Sequence, residues 1–199
     1  MYGSPVSLIL GFHGCDASVG EAVLSGKLDL AASANSYDWL GHGRYFWENN
    51  PQRALEYATE LKCQPRSPKR AIKTPFVLGA IIDPGHCLNL MEASSLEAIG
   101  RSYDLLKRSL ELQGMSLPEN RMDMRTGDLL YRPLDCAVIE MSHSINERGG
   151  APSYDTVRGI FVEGDEVYPG AGFRMKNHVQ ICVRNSASIK GYFRVKRES

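Results

Sequence analysis

The segments GFHG, residues 11–14, and GHGRYF, residues 41–46, are the most informative part of this sequence for its fold and function. In each segment a functional side chain stands beside glycines, which lack a Cβ and therefore let the backbone approach a bound ligand closely. The apolar run from Val6 to Gly11 predicts a strand that is buried on both faces, with His13 at its end. Both segments are therefore candidates for contact between the backbone and a ligand.

A helical pattern follows each of these segments. The first pattern runs from Asp16 to Leu24 and ends at Gly26, a residue that readily adopts the left-handed conformation of a helix C-terminus. The second begins with Asn50 as a capping residue and Pro51 as the first helical residue, which is a strong start signal. Both helices are therefore predicted from local sequence.

The rest of the chain predicts one more helix and several strands. Residues 95–114 have the spacing of an amphipathic helix, and strands are predicted over 77–82, 136–141, 156–162, 178–184 and 189–195. Residues 27–38 and the basic, proline-containing segment 62–75 are predicted to be surface loops. With helices concentrated in the first 114 residues, the pattern favours a single α+β domain over residues 1–199 with a mostly antiparallel sheet.

Composition restricts the class of protein without specifying a function. The 199 residues include 23 basic and 23 acidic residues, and this balance argues against broad electrostatic capture of nucleic acid or membrane. The five scattered cysteines form no C-x-x-C pair, as is typical of reduced thiols in the cytoplasm. We expect no signal peptide and no transmembrane helix, and hence a cytoplasmic protein.

The order of these elements resembles the NAD-binding half of ADP-ribosyltransferases of the poly(ADP-ribose) polymerase and diphtheria-toxin type. There, one strand carries a His-Gly pair and a second carries Gly-x-Tyr-Phe. The resemblance covers residues 8–60 and 156–195, and it implies a split sheet with NAD bound in the cleft between its two parts. It also implies that His13 binds a ribose hydroxyl, that the Gly14 backbone binds the nicotinamide carboxamide and that Tyr45 stacks on the nicotinamide ring. Taken singly, a structural histidine and a core aromatic residue are the simpler interpretations.

The resemblance assigns the third catalytic position to Gln180, where the family has a glutamate. The segment QICVRN, residues 180–185, aligns with the family's Glu-x-Ile-Val-x-(Asn/Asp) strand. A neutral amide brings no negative charge to the oxocarbenium-like transition state, and losing one such electrostatic partner typically costs about 2.7 to 4 kcal/mol. Transfer of single ADP-ribose units, and not polymer synthesis, is therefore expected.

The loop of residues 163–173 lies where the family places its target-recognition loop. Glu163 and Glu166 are candidates for a substitute carboxylate that activates the acceptor, while Tyr168 and Phe173 are candidates for stacking on it. The alternative interpretation is a solvated turn with incidental charges. Weaker candidates at the edge of the cleft are Asp38, Trp39 and Glu48.

The resemblance implies a mono-ADP-ribosyltransferase that uses NAD as co-substrate, needs no metal and modifies a macromolecular acceptor, either protein or nucleic acid. The basic loop of residues 62–73 would assist a nucleic-acid acceptor. Compact enzymes of this kind are often toxins of toxin-antitoxin or phage-defence systems, so an antitoxin or other inhibitory partner is expected by analogy. The alternative function is a catalytically silent NAD- or nucleic-acid-binding module that has kept the fold and lost the glutamate.

Overall fold

The computed structural model describes residues 8–65, 71–124 and 126–196. Within these residues seven strands form one sheet: β1 (Ile9–Asp16), β2 (Arg44–Glu48), β3 (Pro75–Ile82), β4 (Cys87–Asn89), β5 (Thr156–Phe161), β6 (His178–Val183) and β7 (Ile189–Arg194). The order across the sheet is β4-β5-β6-β2-β1-β3-β7, and only the β4–β5 pair is parallel. The helices of the described residues are α1 (Ala17–Leu24), α2 (Pro51–Cys63), α3 (Ala93–Leu112) and α4 (Pro133–Arg148). The predicted α+β class with a mostly antiparallel sheet is confirmed.

The helix start predicted from Asn50 and Pro51 is confirmed, and so is the helix predicted over residues 16–24 with its end at Gly26. The Asp16 carboxylate accepts a hydrogen bond from the Ser18 backbone N–H at 2.9 Å, and α1 ends just before Gly26, whose φ is +68°. The Asn50 side chain accepts from the Arg53 N–H at 2.9 Å, and Pro51 is the first residue of α2. These signals act within one helical turn, which explains why local sequence was sufficient.

The prediction of a strand over residues 136–141 is wrong, because these residues lie inside α4. The run CAVIEM is short and mostly apolar, and a run of that kind does not distinguish a strand from a buried helix. The buried positions Cys136, Ile139 and His143 are three and four residues apart, which is the helical period. The helices therefore extend beyond the first 114 residues.

Two expectations about β1 are also corrected. His13 lies inside the strand and not at its end. The strand is not buried on both faces, since Leu10 is 44% exposed. Part of the segment that predicted this strand, residues 6 and 7, lies outside the described residues.

The predicted basic loop is shorter than expected. Helix α2 continues to Cys63, and β3 begins at Pro75. Within the basic loop that would assist a nucleic-acid acceptor, the residues that we expect to contact phosphates are Arg66, Lys69 and Arg70, and all three lie outside the described residues.

The sheet is locally opened between β1 and β2. Strand β1 pairs with β3 along its whole length, from Ile9 to Asp16, whereas its ladder with β2 consists of Gly11 opposite Glu48 and Phe12 opposite Trp47. Beyond Phe12 the two strands no longer form ladder pairs. The strands nevertheless belong to one hydrogen-bonded sheet, so the opening is local.

In the described part of the chain, no helix combines the length and apolar character needed to cross a bilayer.

Candidate functional site

The strand register brings the predicted site residues of β2 and β6 to one face of the sheet, here called the site face. Trp47 lies opposite Gln180 in the β2–β6 ladder, and Gly159 lies opposite Gln180 in the β5–β6 ladder. Paired residues project to the same side, and every second residue along a strand shares that side. The side chains of the site face therefore include those of Tyr45, Trp47, Phe161, His178, Gln180 and Cys182.

His13 bridges the opening between β1 and β2. Its Nδ1 lies 2.8 Å from the backbone carbonyl oxygen of Tyr45. Because a carbonyl only accepts, Nδ1 carries the proton, and in the neutral ring Nε2 is then an acceptor. Burial lowers the pKa of His13, although the hydrogen bond to Tyr45 opposes that shift. His13 is therefore neutral at physiological pH and offers a hydrogen-bond acceptor at Nε2.

Gly14 allows β1 to pack directly on α2. A Cβ at this position would lie 2.1 Å from the backbone oxygen of Ala54 and 3.3 Å from the Ala58 methyl group. Gly43 has a similar constraint, since a Cβ there would lie 2.5 Å from the Cys182 sulfur. Both glycines therefore have a packing requirement, and contact of the Gly14 backbone with a carboxamide stays a prediction.

Tyr45 is fixed through its hydroxyl group. The hydroxyl donates to the Gly41 carbonyl at 2.7 Å and accepts from the Leu40 N–H at 2.9 Å, and burial raises the pKa of the phenol. These bonds hold the turn at Gly41, whose φ is +76°. The ring packs beside the buried cluster that contains Trp39 and Leu40. Stacking of this ring on nicotinamide stays a prediction.

Gln180 has a direct partner in Trp39. The indole Nε1 donates to the Gln180 Oε1 at 3.0 Å, and both residues are only 9% exposed. The Arg132 guanidinium lies 4.6 Å from the indole centroid, and Phe161 contacts the indole edge-to-face at 4.7 Å. Trp39 was only a weak candidate from sequence, and Arg132 was missed because no local pattern relates it to Gln180.

Glu163 lies away from Gln180. Its carboxylate accepts a hydrogen bond from Arg53 Nη2 at 2.7 Å, with both side chains buried. Burial raises the pKa of Glu163, while Arg53 opposes the shift. Glu163 lies two residues beyond the end of β5, past Phe161, which is opposite His178, whereas Gln180 is opposite Gly159. The structure therefore does not bring Glu163 to the place of the missing family carboxylate.

The other residues of the loop form a short hairpin that reaches into solvent. The Val167 N–H donates to the Phe173 carbonyl at 3.1 Å, and the Glu166 carboxylate accepts from the Gly170 N–H at 2.8 Å. Tyr168 is 56% exposed and Phe173 is 65% exposed. These two rings are therefore accessible to another molecule, whereas Glu166 is a structural part of the hairpin.

The two remaining cleft-edge candidates have structural partners. Glu48 lies on the opposite face and pairs with Arg158, whose Nη2 donates to it at 2.7 Å. The Asp38 carboxylate accepts from the Asn35 N–H at 2.8 Å. The described contacts of both carboxylates are structural and do not indicate a catalytic role.

Comparison of the chain with protein-family models, curated proteins and solved structures finds no match. A function is therefore proposed from residues and geometry.

Three buried polar atoms next to the site face lack a hydrogen-bond partner among the described residues: Trp47 Nε1, Arg53 Nε and His178 Nε2. Arg53 Nη1 makes no hydrogen bond either, but it lies 3.7 and 3.6 Å from the Glu56 and Glu60 carboxylates. The centroids of the Trp47 and His178 rings lie 6.0 Å apart. His178 Nδ1 donates to the Lys176 carbonyl at 2.6 Å, so its Nε2 is an acceptor in the neutral ring. An unpaired buried polar group costs roughly 1–3 kcal/mol, and in folded proteins such groups normally bind water or a ligand. This region therefore offers donors and an acceptor to a polar ligand, which sequence reasoning missed.

A cysteine and a histidine also meet outside the site face. Cys136 Sγ lies 3.8 Å from His42 Nε2, and His42 Nδ1 lies 3.7 Å from the Glu140 carboxylate. Burial raises the pKa of the Cys136 thiol to about 11, so the thiol is protonated at neutral pH and is a poor nucleophile. Over the described ranges, no group of three or more His, Cys, Asp or Glu side chains has an arrangement suited to a metal ion.

Proposed function

We propose that this chain is a mono-ADP-ribosyltransferase that cleaves the nicotinamide-ribose bond of NAD and transfers one ADP-ribose unit to a macromolecule. The observation that supports this best is the position of His13, Tyr45 and Gln180 on three adjacent strands, with Tyr45 and Gln180 on the site face. By the register of Phe12 opposite Trp47, His13 projects to the other face, and its ring is hydrogen-bonded to the Tyr45 carbonyl at the opening between β1 and β2. The order of His13, Tyr45 and Gln180 along the chain is that of the motifs in the ADP-ribosyltransferases that this sequence resembles. In the proposal, the local opening corresponds to the NAD cleft of a split-sheet fold.

The residues present fit the binding of NAD. In the proposal, the neutral His13 accepts a hydrogen bond from a ribose hydroxyl at Nε2, the Gly14 backbone binds the carboxamide, and the Tyr45 ring stacks on nicotinamide. The Trp47 indole N–H, the Arg53 Nε–H and the His178 Nε2 acceptor, which have no hydrogen-bond partner among the described residues, supply further polar contacts on the site face. These groups orient the dinucleotide and fix the scissile bond relative to the sheet.

The proposed reaction breaks the bond between ribose C1′ and the nicotinamide nitrogen. The bonding electron pair leaves with nicotinamide, which departs as a neutral molecule, and a nucleophile of the acceptor forms a new bond to C1′ and loses its proton. The site face brings no carboxylate to Gln180 in the described contacts. The reaction is therefore expected to run roughly a hundred- to a thousand-fold more slowly than with a charged partner at that place.

The exposed rings of Tyr168 and Phe173 are the proposed contact for the acceptor, which is either protein or nucleic acid. The basic segment of residues 62–73 would add phosphate contacts for nucleic acid. By analogy, a cytoplasmic toxin controlled by an antitoxin or another inhibitory partner is the proposed context.

Incubation with NAD labelled in both halves tests the proposal. The protein should release nicotinamide and transfer the adenine-containing label to one of three mixtures: total RNA, DNA or cell protein. Steep loss of transfer between two salt concentrations would identify nucleic acid, because bound lysines and arginines release counterions. Tyr168→Ala and Phe173→Ala should reduce transfer while leaving nicotinamide release intact. If no nicotinamide is released and no label is transferred under any of these conditions, the proposed enzymatic activity is refuted.

The second candidate function is an NAD- or nucleic-acid-binding module without catalysis. The observation in its favour is Gln180, which is neutral and has its oxygen engaged by Trp39. Binding of NAD or nucleic acid without nicotinamide release would support this alternative.

A further inference from the structure

The hydrogen bond between Trp39 and Gln180 fixes the orientation of a carboxamide on the site face. The indole Nε1 is 3.0 Å from one polar atom of the Gln180 amide. An indole N–H only donates, so the amide atom that faces it must be the oxygen. The amide nitrogen, which carries two N–H donors, is then turned away from Trp39.

The indole itself is held on several sides. Arg132 stacks over its ring at 4.6 Å, and Phe161 meets it edge-to-face at an interplanar angle of 76°. Arg132 is held in turn by the Asp135 carboxylate. The next residue, Leu40, is anchored through its N–H to the Tyr45 hydroxyl at 2.9 Å. Trp39 therefore has little freedom to release the Gln180 oxygen.

We propose that Gln180 presents a hydrogen-bond donor to the ligand, and that Trp39 is the positioning residue that imposes this polarity. The ligand atom opposite Gln180 is then an acceptor, such as a hydroxyl, ether or phosphate oxygen. A glutamate would behave in the opposite way, since one carboxylate oxygen would bind Trp39 and the other would accept a proton donor. The identification of this ligand with NAD rests on the proposed function.

The carboxylate of a glutamate has two equivalent oxygens, and this symmetry gives a discriminating test. In the parent protein, loss of the indole N–H frees the Gln180 amide to rotate and to present its oxygen to the ligand. In a Gln180→Glu protein the same loss leaves an acceptor facing the ligand in either orientation. A positioning role therefore makes the effect of Trp39→Phe depend on the residue at 180, whereas a purely structural role does not.

The first experiment observes the hydrogen bond between Trp39 and Gln180 by NMR and does not depend on enzymatic activity. The chain has two tryptophans, so ¹⁵N-labelled indole groups give two NMR signals, assignable with Trp39→Phe and Trp47→Phe. Gln180→Glu should move the Trp39 N–H signal downfield, because a bond to a carboxylate is shorter and stronger. Gln180→Leu should move it upfield and speed its exchange with deuterium. An unchanged Trp39 signal in the folded Gln180→Glu protein would overturn the proposal.

The second experiment measures nicotinamide release from NAD in the four combinations of Trp39 or Phe with Gln180 or Glu. Trp39→Phe should lower kcat/KM about ten-fold in the Gln180 background, the typical cost of one hydrogen bond, and less than about three-fold in the Glu background. Equal losses in the two backgrounds would overturn the positioning role. Should the parent neither bind nor cleave NAD, the proposed function fails, and the NMR spectra alone decide the polarity of Gln180.

Discussion

At the scale of single residues, His13 has two ring nitrogens with separable roles. Nδ1 donates to the Tyr45 carbonyl and connects two strands where their ladder ends. Nε2 is the acceptor that the proposed function assigns to a ribose hydroxyl. A substitution that reproduces only one of these nitrogens therefore distinguishes a structural role of His13 from a role in substrate binding.

His13→Asn should fold normally and lose NAD cleavage. The amide of asparagine can replace Nδ1 as donor to Tyr45, so the free energy of unfolding should change by less than about 1 kcal/mol. It has no group at the position of Nε2, so kcat/KM for nicotinamide release should fall at least ten-fold. The control is His13→Gln, whose longer side chain reaches the Nε2 position and should lose more stability. Cleavage at the parental rate by His13→Asn would show that His13 is only structural.

Tyr45→Phe should lose stability and keep most of its activity. The substitution leaves the Leu40 N–H and the Gly41 carbonyl without their partner, at a cost of about 1–3 kcal/mol, but retains the ring that is proposed to stack on nicotinamide. Urea unfolding and nicotinamide release measure the two effects separately. Tyr45→Ala, which removes the ring as well, should lose both. A stable but inactive Tyr45→Phe would instead assign the hydroxyl to the chemistry.

At the scale of elements, two ion pairs connect α2 to the segments on either side of the exposed hairpin. Arg53 binds Glu163 in a buried pair, and Lys176 binds Glu60 in a half-exposed pair at 2.8 Å. Buried charges depend on each other, because removal of one partner leaves the other unpaired in a medium of low polarity. The hairpin that carries Tyr168 and Phe173 is therefore connected to α2 at both of its ends.

Glu163→Leu should destabilise the protein by about 1–3 kcal/mol, because it leaves Arg53 Nη2 without its acceptor, while Nη1 stays 3.7 and 3.6 Å from the Glu56 and Glu60 carboxylates. Combining it with Arg53→Met should restore much of the lost stability, since the double variant contains neither charge of the buried pair. The matched control is Lys176→Met, which removes an exposed pair and should cost only about 0–1 kcal/mol. Urea unfolding of the four proteins of this double-mutant cycle gives the coupling energy. A loss below 1 kcal/mol for Glu163→Leu alone would mean that the buried pair does not form.

Local sequence predicted the elements whose signals lie within one helical turn, such as the start of α2 at Asn50 and Pro51. It failed at α4, where the run of residues 136–141 fits both a strand and a buried helix. For the site, the glycine-flanked segments indicated His13 and Tyr45. The partners of Gln180 and Glu163 could not be predicted from the sequence. Trp39 is 141 residues away from Gln180 and Arg53 is 110 residues away from Glu163, and only the topology of the sheet brings each pair together.

At the scale of the whole molecule, buried histidines link stability to pH. Burial lowers the pKa of His143 to about 4 and that of His178 to about 4, and it also lowers the pKa of His13. The unfolded chain binds protons to these rings near pH 6.5, whereas the folded protein does not. The free energy of unfolding should therefore fall as the pH decreases from 6.5 towards 4. Hydrogen bonds that lower the carboxyl pKa of Asp16 and Asp155 add a further loss below about pH 4.

His143→Gln isolates one of these contributions. His143 is 1% exposed, and a shift from 6.5 to about 4 corresponds to at most roughly 3 kcal/mol between neutral and acidic pH. Urea unfolding at a series of pH values from 7.5 to 4.5 should show a smaller loss of stability for His143→Gln than for the parent, whatever its stability at pH 7.5. His178→Gln is the matched comparison, because burial also lowers the pKa of His178 to about 4, and it should likewise lose less stability than the parent over this range. If His143→Gln and the parent lose stability in parallel over this range, proton uptake by His143 on unfolding does not contribute, and His178 and His13 must account for the pH dependence.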